Sequence, residues 1–426
     1  MATPHGAIHL TNDERMMLHG EDGEARQLAM RIVTRMAPLY GATELLSVTG
    51  AHVDGCIYQG EAGLEFAERL AALGGRVRVP TSLNVISLDR RHWRDLGTPP
   101  EYAARASRLA EAYLTMGATP TFTCTPYQTS AKPAFGEQIA WAESNAVAFA
   151  NAIIGARTNR YGDYLDICCA LTGRAPAAGL HLEENRRATV QINLGRVPPT
   201  LLERDDVYPV LGYLLGTLVD DEIPVVVGLD ARPSEDQLKS LAAAAASSGS
   251  IAHFHLAGIT PEAPTLADAL AGRPPLRTID VTFNALKKAR LALTTSTSER
   301  LDTVAFGSPH CSLAECQAIA AMVAGRIAAP GIDVFITTSR AVRDLLDRSG
   351  DLATLETFGA RVTADTCIVV SPLLRPAARV LMTNSGKYAH YAPGLLNVES
   401  VYASTADCIA SAVAGRVVIE AGPWDA

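Results

Sequence analysis

The chain has 426 residues, 48% of them hydrophobic and 19% charged, which is too long for one ordinary core and apolar enough to fill two or three. A formal net charge of −8 and the lack of a Lys/Arg run argue against a nucleic-acid partner. The opening MATPHGAIHLTNDER lacks the pattern of a signal peptide and no apolar stretch reaches bilayer length, so a soluble, cytoplasmic protein without a membrane partner is expected.

In chain order, Thr11-Asn-Asp-Glu14 is a capping box that opens a helix, and the helical pattern resumes from Glu24 to about Met36. Residues 44–58 read as a strand running into a small-residue loop. Residues 61–74 form an amphipathic helix stopped by Gly74 and Gly75, 76–87 are extended, and 100–117 are helical up to a glycine stop. The run ATPTFTCTPYQTSAKP (118–133) then holds Cys124 among three prolines, each of which restricts the backbone on either side. Residues 140–164 place Glu143, Ser144, Asn145 and Asn151 in an apolar helical pattern that an Arg157-Thr158-Asn159 turn ends. So many polar groups in an apolar frame suit either a ligand site or a hydrogen-bonded seam.

The second half has short β-rich runs at 223–230, 250–258, 301–307, 331–339 and 361–370, with helical stretches at 234–247, 312–327 and 339–348 between several of them. That alternation predicts βαβ units and parallel sheets. The expected partition is an N-terminal α/β part, 1–210, and a C-terminal α/β part, 211–426.

None of the eight cysteines forms a CxxC, which argues against a zinc ribbon, and most are expected to be buried apolar residues. Cys311 follows a strand and precedes a second capping box, Ser312 to Glu315. At a helix N-terminus it reads either as a loop cysteine packed under the helix or as a stabilised thiolate. Cys367 falls in the predicted strand 362–371 and by itself reads as core. Cys168 and Cys169, adjacent on a presumed strand, would face opposite ways, and Cys316 and Cys408 read as structural. The set His52, Asp54 and Cys56 has no strong metal spacing, and Ser385-Gly-Lys387 suits an anion without forming a P-loop.

Together the segments AHVDGCIYQGEAGLEFAERLA, VPTSLN, FTCTPYQ, ESNAVAFANAIIGARTNRYGDY, CALTGRAP, GSPHCSL, DTC and TNSGKYAHYAPG resemble, in order, the large catalytic subunit of the aconitase X family, from about residue 8 to about 415. The resemblance implies a multi-domain α/β architecture with parallel or mixed sheets flanked by helices around a cluster cleft. It implies an iron–sulfur cluster, [2Fe-2S] or [4Fe-4S], held by Cys124, Cys311 and Cys367, with Ser308 near the ligand position of some relatives. The implied activity is a hydro-lyase on a small hydroxylated acid, with cis-3-hydroxy-L-proline first and mevalonate 5-phosphate second. A non-catalytic iron–sulfur paralogue is the rival from another class. His52 and Lys387 are the expected catalytic residues, and Ser47, Ser144, Asn145, Arg157, Thr158 and His310 the expected substrate ligands. A swivelling domain with a catalytic serine has no counterpart in the motifs, so a separate small subunit is the expected partner.

Overall fold

The structure is a computed structural model that describes residues 8–425. The chain divides into two units. Of the described residues, the first comprises 8–88 and 99–187; the second comprises Asp89–Thr98 and 188–425. The expected boundary at 210/211 falls inside the helix Val207–Leu218, and the units part instead at Arg187/Ala188.

In the first unit, β1 (Leu45–Ser47) pairs antiparallel with β5 (Arg174–Pro176), and β2 (Ala51–Val53) lies between β3 (Thr81–Leu83) and β4 (Ala140–Trp141) in a parallel sheet. The capping box at Thr11 forms as expected. Cys168 and Cys169 lie in the helix Leu165–Thr172 and not on a strand; both are fully buried, like every other residue of that helix.

The second unit carries two parallel sheets. One has the order β8-β7-β6-β9, from β6 (Val190–Arg196), β7 (Pro224–Val227), β8 (His255–Leu256) and β9 (Arg277–Thr282). The other has the order β12-β11-β10-β13-β14, from β10 (Thr303–Cys311), β11 (Asp333–Thr338), β12 (Ala360–Ala364), β13 (Val380–Thr383) and β14 (Glu399–Tyr402). Alternate residues of β10 and β11 enter separate cores. Val304, Phe306, Val334 and Ile336 pack with the helix Leu313–Val323, whereas Ala305 and Phe335 pack with Tyr388 and Cys367. Both faces are covered, which explains the near-continuous apolar runs of these strands.

The helices Val207–Leu218 and Glu235–Ser248 cross closely because Gly212 and Gly216 carry no side chain: a Cβ on Gly212 would lie 2.2 Å from the Leu241 carbonyl oxygen. Among the described residues no helix is long and apolar enough to cross a membrane.

Candidate functional site

The chemistry-bearing residues of the first unit surround the Cys124 loop and the end of β2. Asn145 fixes that loop: its Nδ2 donates to the Cys124 carbonyl at 2.7 Å, and its Oδ1 accepts from the Tyr127 hydroxyl at 2.9 Å. Tyr127 stacks on Phe149 with ring centroids 3.8 Å apart. The helix Ser144–Phe149, N-capped by the Glu143 carboxylate, passes into a π-helical turn, Ala150–Ile154, and stops at Gly155 with φ +77°. Such π-turns recur at functional sites.

Several predicted substrate ligands are engaged elsewhere. Asn145 is fully buried, and its amide holds the Cys124 loop. Thr158, also fully buried, accepts from the Trp141 amide at 3.1 Å, and its own amide donates to Asn151 Oδ1. Arg157 forms an ion pair with Glu183. Ser144 Oγ donates to its neighbour Glu143 at 3.3 Å. Ser47 lies at the exposed end of β1, paired with Arg174.

His52 is fully buried, and its Nδ1 lies 2.8 Å from Ser82 Oγ. Burial pushes its imidazole pKa down to about 4, opposed by Glu143 and Asn84, so it is neutral near pH 7 and a weak proton acceptor there.

The sequence did not reveal the carboxyl cluster beside it. Asp54 lies against Asp163 and accepts from Asn84 Nδ2. Asp166 accepts from the amides of Asp54 and Ile167, each at 2.6 Å. Burial pushes Asp166 up to about 7 and raises Asp54 well above the carboxylate range, where the charges of Glu143, Asp163 and Asp166 add to the effect. Crowded carboxyls that cannot all ionise retain a proton. The signal was D54 in AHVDG and D163/D166 in GDYLD, too far apart in sequence to be read together.

In the second unit Cys367 follows β12 instead of lying on a strand. The strand ends at Ala364 because Asp365 adopts φ +68°. Arg340 bonds both Asp365, at 2.5 Å, and Asp89, at 2.8 Å, while Asp89 accepts from the Ala364 amide at 3.0 Å. That ionic frame presents the Cys367 turn. Burial raises the Cys367 thiol pKa, and the backbone amides of Val369 and Val370, the Lys387 charge and the Tyr388 hydroxyl oppose it. Donors converging on sulfur in this way suit a ligand thiolate. Lys387 lies in the first turn of the helix Gly386–Tyr391, whose Gly386 packs against Ala244 and Pro209.

Cys311 ends β10 beside the Cys367 turn. His310 joins the two loops, with Nε2 3.0 Å from the Thr366 carbonyl, but the two thiols enter different cores. The Cys311 thiol contacts Cys316, which with burial drives its pKa well up; Lys239 acts the other way. Burial raises both thiols, and the two differ in their neighbours: Cys316 beside Cys311, and the donors of Val369, Val370, Lys387 and Tyr388 around Cys367. His310 is fully buried and braces the loop through Thr366.

Lys239 also escaped the sequence reading. Its ammonium is 1% exposed, donates to Asp236 at 2.8 Å and to the His310 carbonyl at 3.2 Å, and pairs with Glu315, the acidic member of the second capping box. Burial opposes its charge, and Glu315 and Asp236 more than restore it.

The three domains of the aconitase X family match in order: the first over residues 7–184, the second over 188–291 and the third over 301–414. The chain belongs to the aconitase X family. A protein of Pseudomonas aeruginosa named cis-3-hydroxy-L-proline dehydratase is 51% identical over 95% of this chain and 70% of its own length. A phosphomevalonate dehydratase large subunit of Methanothermobacter thermautotrophicus is 38% identical over 93% of this chain and 97% of its own. The crystal structure of Thermococcus kodakaraensis aconitase X in its holo-form superposes with a TM-score of 0.85 at 35% identity, over 95% of this chain and 100% of that one. These aconitase X domains carry the α/β architecture with parallel sheets flanked by helices that the sequence predicted.

Proposed function

We propose that this chain is the catalytic part of an aconitase X hydro-lyase that dehydrates cis-3-hydroxy-L-proline to a pyrroline-2-carboxylate. The observation that carries the substrate is the 51% identity, over nearly the whole chain, to the dehydratase of that name. An iron–sulfur cluster is the cofactor the family suggests, and we assign Cys124 and Cys367 as ligands, because one is clamped by Asn145 and the other is surrounded by donors. When bound, the cluster supplies a Lewis acid for a departing hydroxyl.

The chain's own groups do the rest. The Asp54–Asp163 pair, whose carboxyls are pushed up by burial and by their neighbouring charges, supplies a proton to the leaving oxygen. Lys387, at a helix start, offers a positive charge to a substrate carboxylate. Neutral His52 orients and does not abstract. A partner subunit with a swivelling domain and its serine base completes the reaction, in line with the large-subunit naming of relatives of about this length. Cytoplasmic localisation belongs to the same reading.

The test is turnover of cis-3-hydroxy-L-proline and of mevalonate 5-phosphate by iron-loaded protein, with and without a small subunit. Selective dehydration of the proline supports the reading. Selective dehydration of the phosphate ester overturns it in favour of the activity named for the archaeal relatives. Iron loading without turnover of either substrate points to a non-catalytic paralogue.

A further inference from the structure

The second unit holds a cluster of metal-ligating side chains that the dehydration chemistry does not use. His255 lies on β8, the edge strand of the four-stranded sheet, in register with Val225. His253 precedes it by two residues, so extended backbone directs both rings to one side. Both imidazoles are buried at 2% exposure, with ring centroids 4.5 Å apart in an edge-to-face arrangement.

The chain then doubles back. The amides of Ile259 and Thr260 both donate to the Leu256 carbonyl at 3.0 Å, and Thr260 Oγ1 accepts from the Leu256 amide at 3.0 Å. Gly258, at φ +79°, donates to the Ala263 carbonyl at 2.8 Å and closes the turn. This tight loop returns Glu262 over the two rings. One donor atom from each of His253, His255 and Glu262 lies within 4.8 Å of the other two.

We propose that His253, His255 and Glu262 form a binding site for a divalent transition-metal ion of the zinc class. Three donor atoms converge here, one more than a simple ion pair needs, and their spacing suits a shared ion. Ligands about 2.0 Å from a tetrahedral zinc are about 3.3 Å from each other, and His253 Nε2 lies 3.3 Å from Glu262 Oε2. Two imidazoles and one carboxylate leave a fourth position open to water, the ligand count of many zinc sites. The Glu262 side chain keeps 12% exposure and gives the ion a way in. Since β8 is a two-residue edge strand, a bound ion would fasten it to its own return loop.

Iron-loaded protein is stripped of loosely held metal, equilibrated with micromolar Zn²⁺ alone and desalted. Zinc and iron per chain are then counted by mass spectrometry, and Tm is measured. The expected result is one zinc per chain and a raised Tm in the wild type. Glu262→Gln and His255→Gln should weaken zinc binding by at least about tenfold while leaving iron content unchanged. Glu262→Gln lies on the partly exposed return loop and guards against a result that merely reflects unfolding of His255→Gln. No zinc uptake by folded wild-type protein, or equal uptake by folded Glu262→Gln, overturns the proposal and leaves a buried His–Glu ion pair.

Discussion

Cys311 and Cys367 flank one hydrogen-bonded junction, His310 to Thr366, yet their thiols belong to cores on opposite faces of the same parallel sheet. This divides the expected behaviour of the two serine variants. Cys367→Ser should lose most of the bound iron. Cys311→Ser should keep it and lose about 1–3 kcal/mol of stability, because a hydroxyl replaces a thiol in an apolar core. Iron counting with thermal melts decides the matter. Iron loss in Cys311→Ser equal to that in Cys367→Ser would show that the thiol turns away from Cys316 when the cluster is loaded.

Asn145→Ala removes both bonds that tie the Cys124 carbonyl to Tyr127. The expected cost is about 1–3 kcal/mol, with a fall in iron retention. Asn145→Asp keeps the acceptor for Tyr127 and loses the donor to Cys124, so its iron retention should also fall. Unchanged iron content in folded Asn145→Ala would separate the residue from the cysteine loop.

Lys239→Met leaves the partly exposed Glu315 and Asp236 without their cation, and about 1–3 kcal/mol of destabilisation is expected. The double variant Lys239→Met/Glu315→Gln should recover a large part of that loss. A denaturant series on the three proteins measures it, and equal stability of single and double variants would show that the charge pairing does not matter.

The carboxyl cluster sets the slope of stability against pH. Asp54 and Asp166 hold protons in the folded state that the unfolded chain has already released. Their contribution is therefore present at low pH and is lost as pH rises from about 4, the ordinary carboxylate value, through about 7, the folded value of Asp166. Wild-type Tm should fall between about pH 4 and about pH 7. Asp54→Asn removes one charge from the group and should melt above the wild type at the higher pH, with a shallower slope. Parallel Tm–pH curves for the two proteins would refute this account.

The fold was legible where local chemistry decides it. The capping boxes at Thr11 and Ser312 and the parallel strands β10 and β11 follow from spacing and apolar runs that any neighbour would satisfy. The site was less legible because its members act at long range. Nothing around Asp365 announces that Arg340 will hold it at a positive φ, so the Cys367 turn read as strand. Lys239 looked like the polar face of a helix, and its burial depends on Glu315, 76 residues away. Asn145 and Thr158 read as ligand residues because buried polar groups need partners; the partners turned out to be Cys124 and Asn151.

The ten residues Asp89–Thr98 belong to the second unit although the chain returns to the first on either side of them. Asp89 meets Arg340 across 251 positions of sequence. On a translating ribosome that distance takes on the order of 10–50 s to synthesise, during which the Asp89 carboxylate has no guanidinium to receive it. The first unit therefore emerges with an unfinished stretch in its middle, and the frame that presents Cys367 can close only after Arg340 and Asp365 have left the exit tunnel. Completion of the turn that carries Cys367 is thus a late event in the life of the nascent chain, set by the order in which the polypeptide is made.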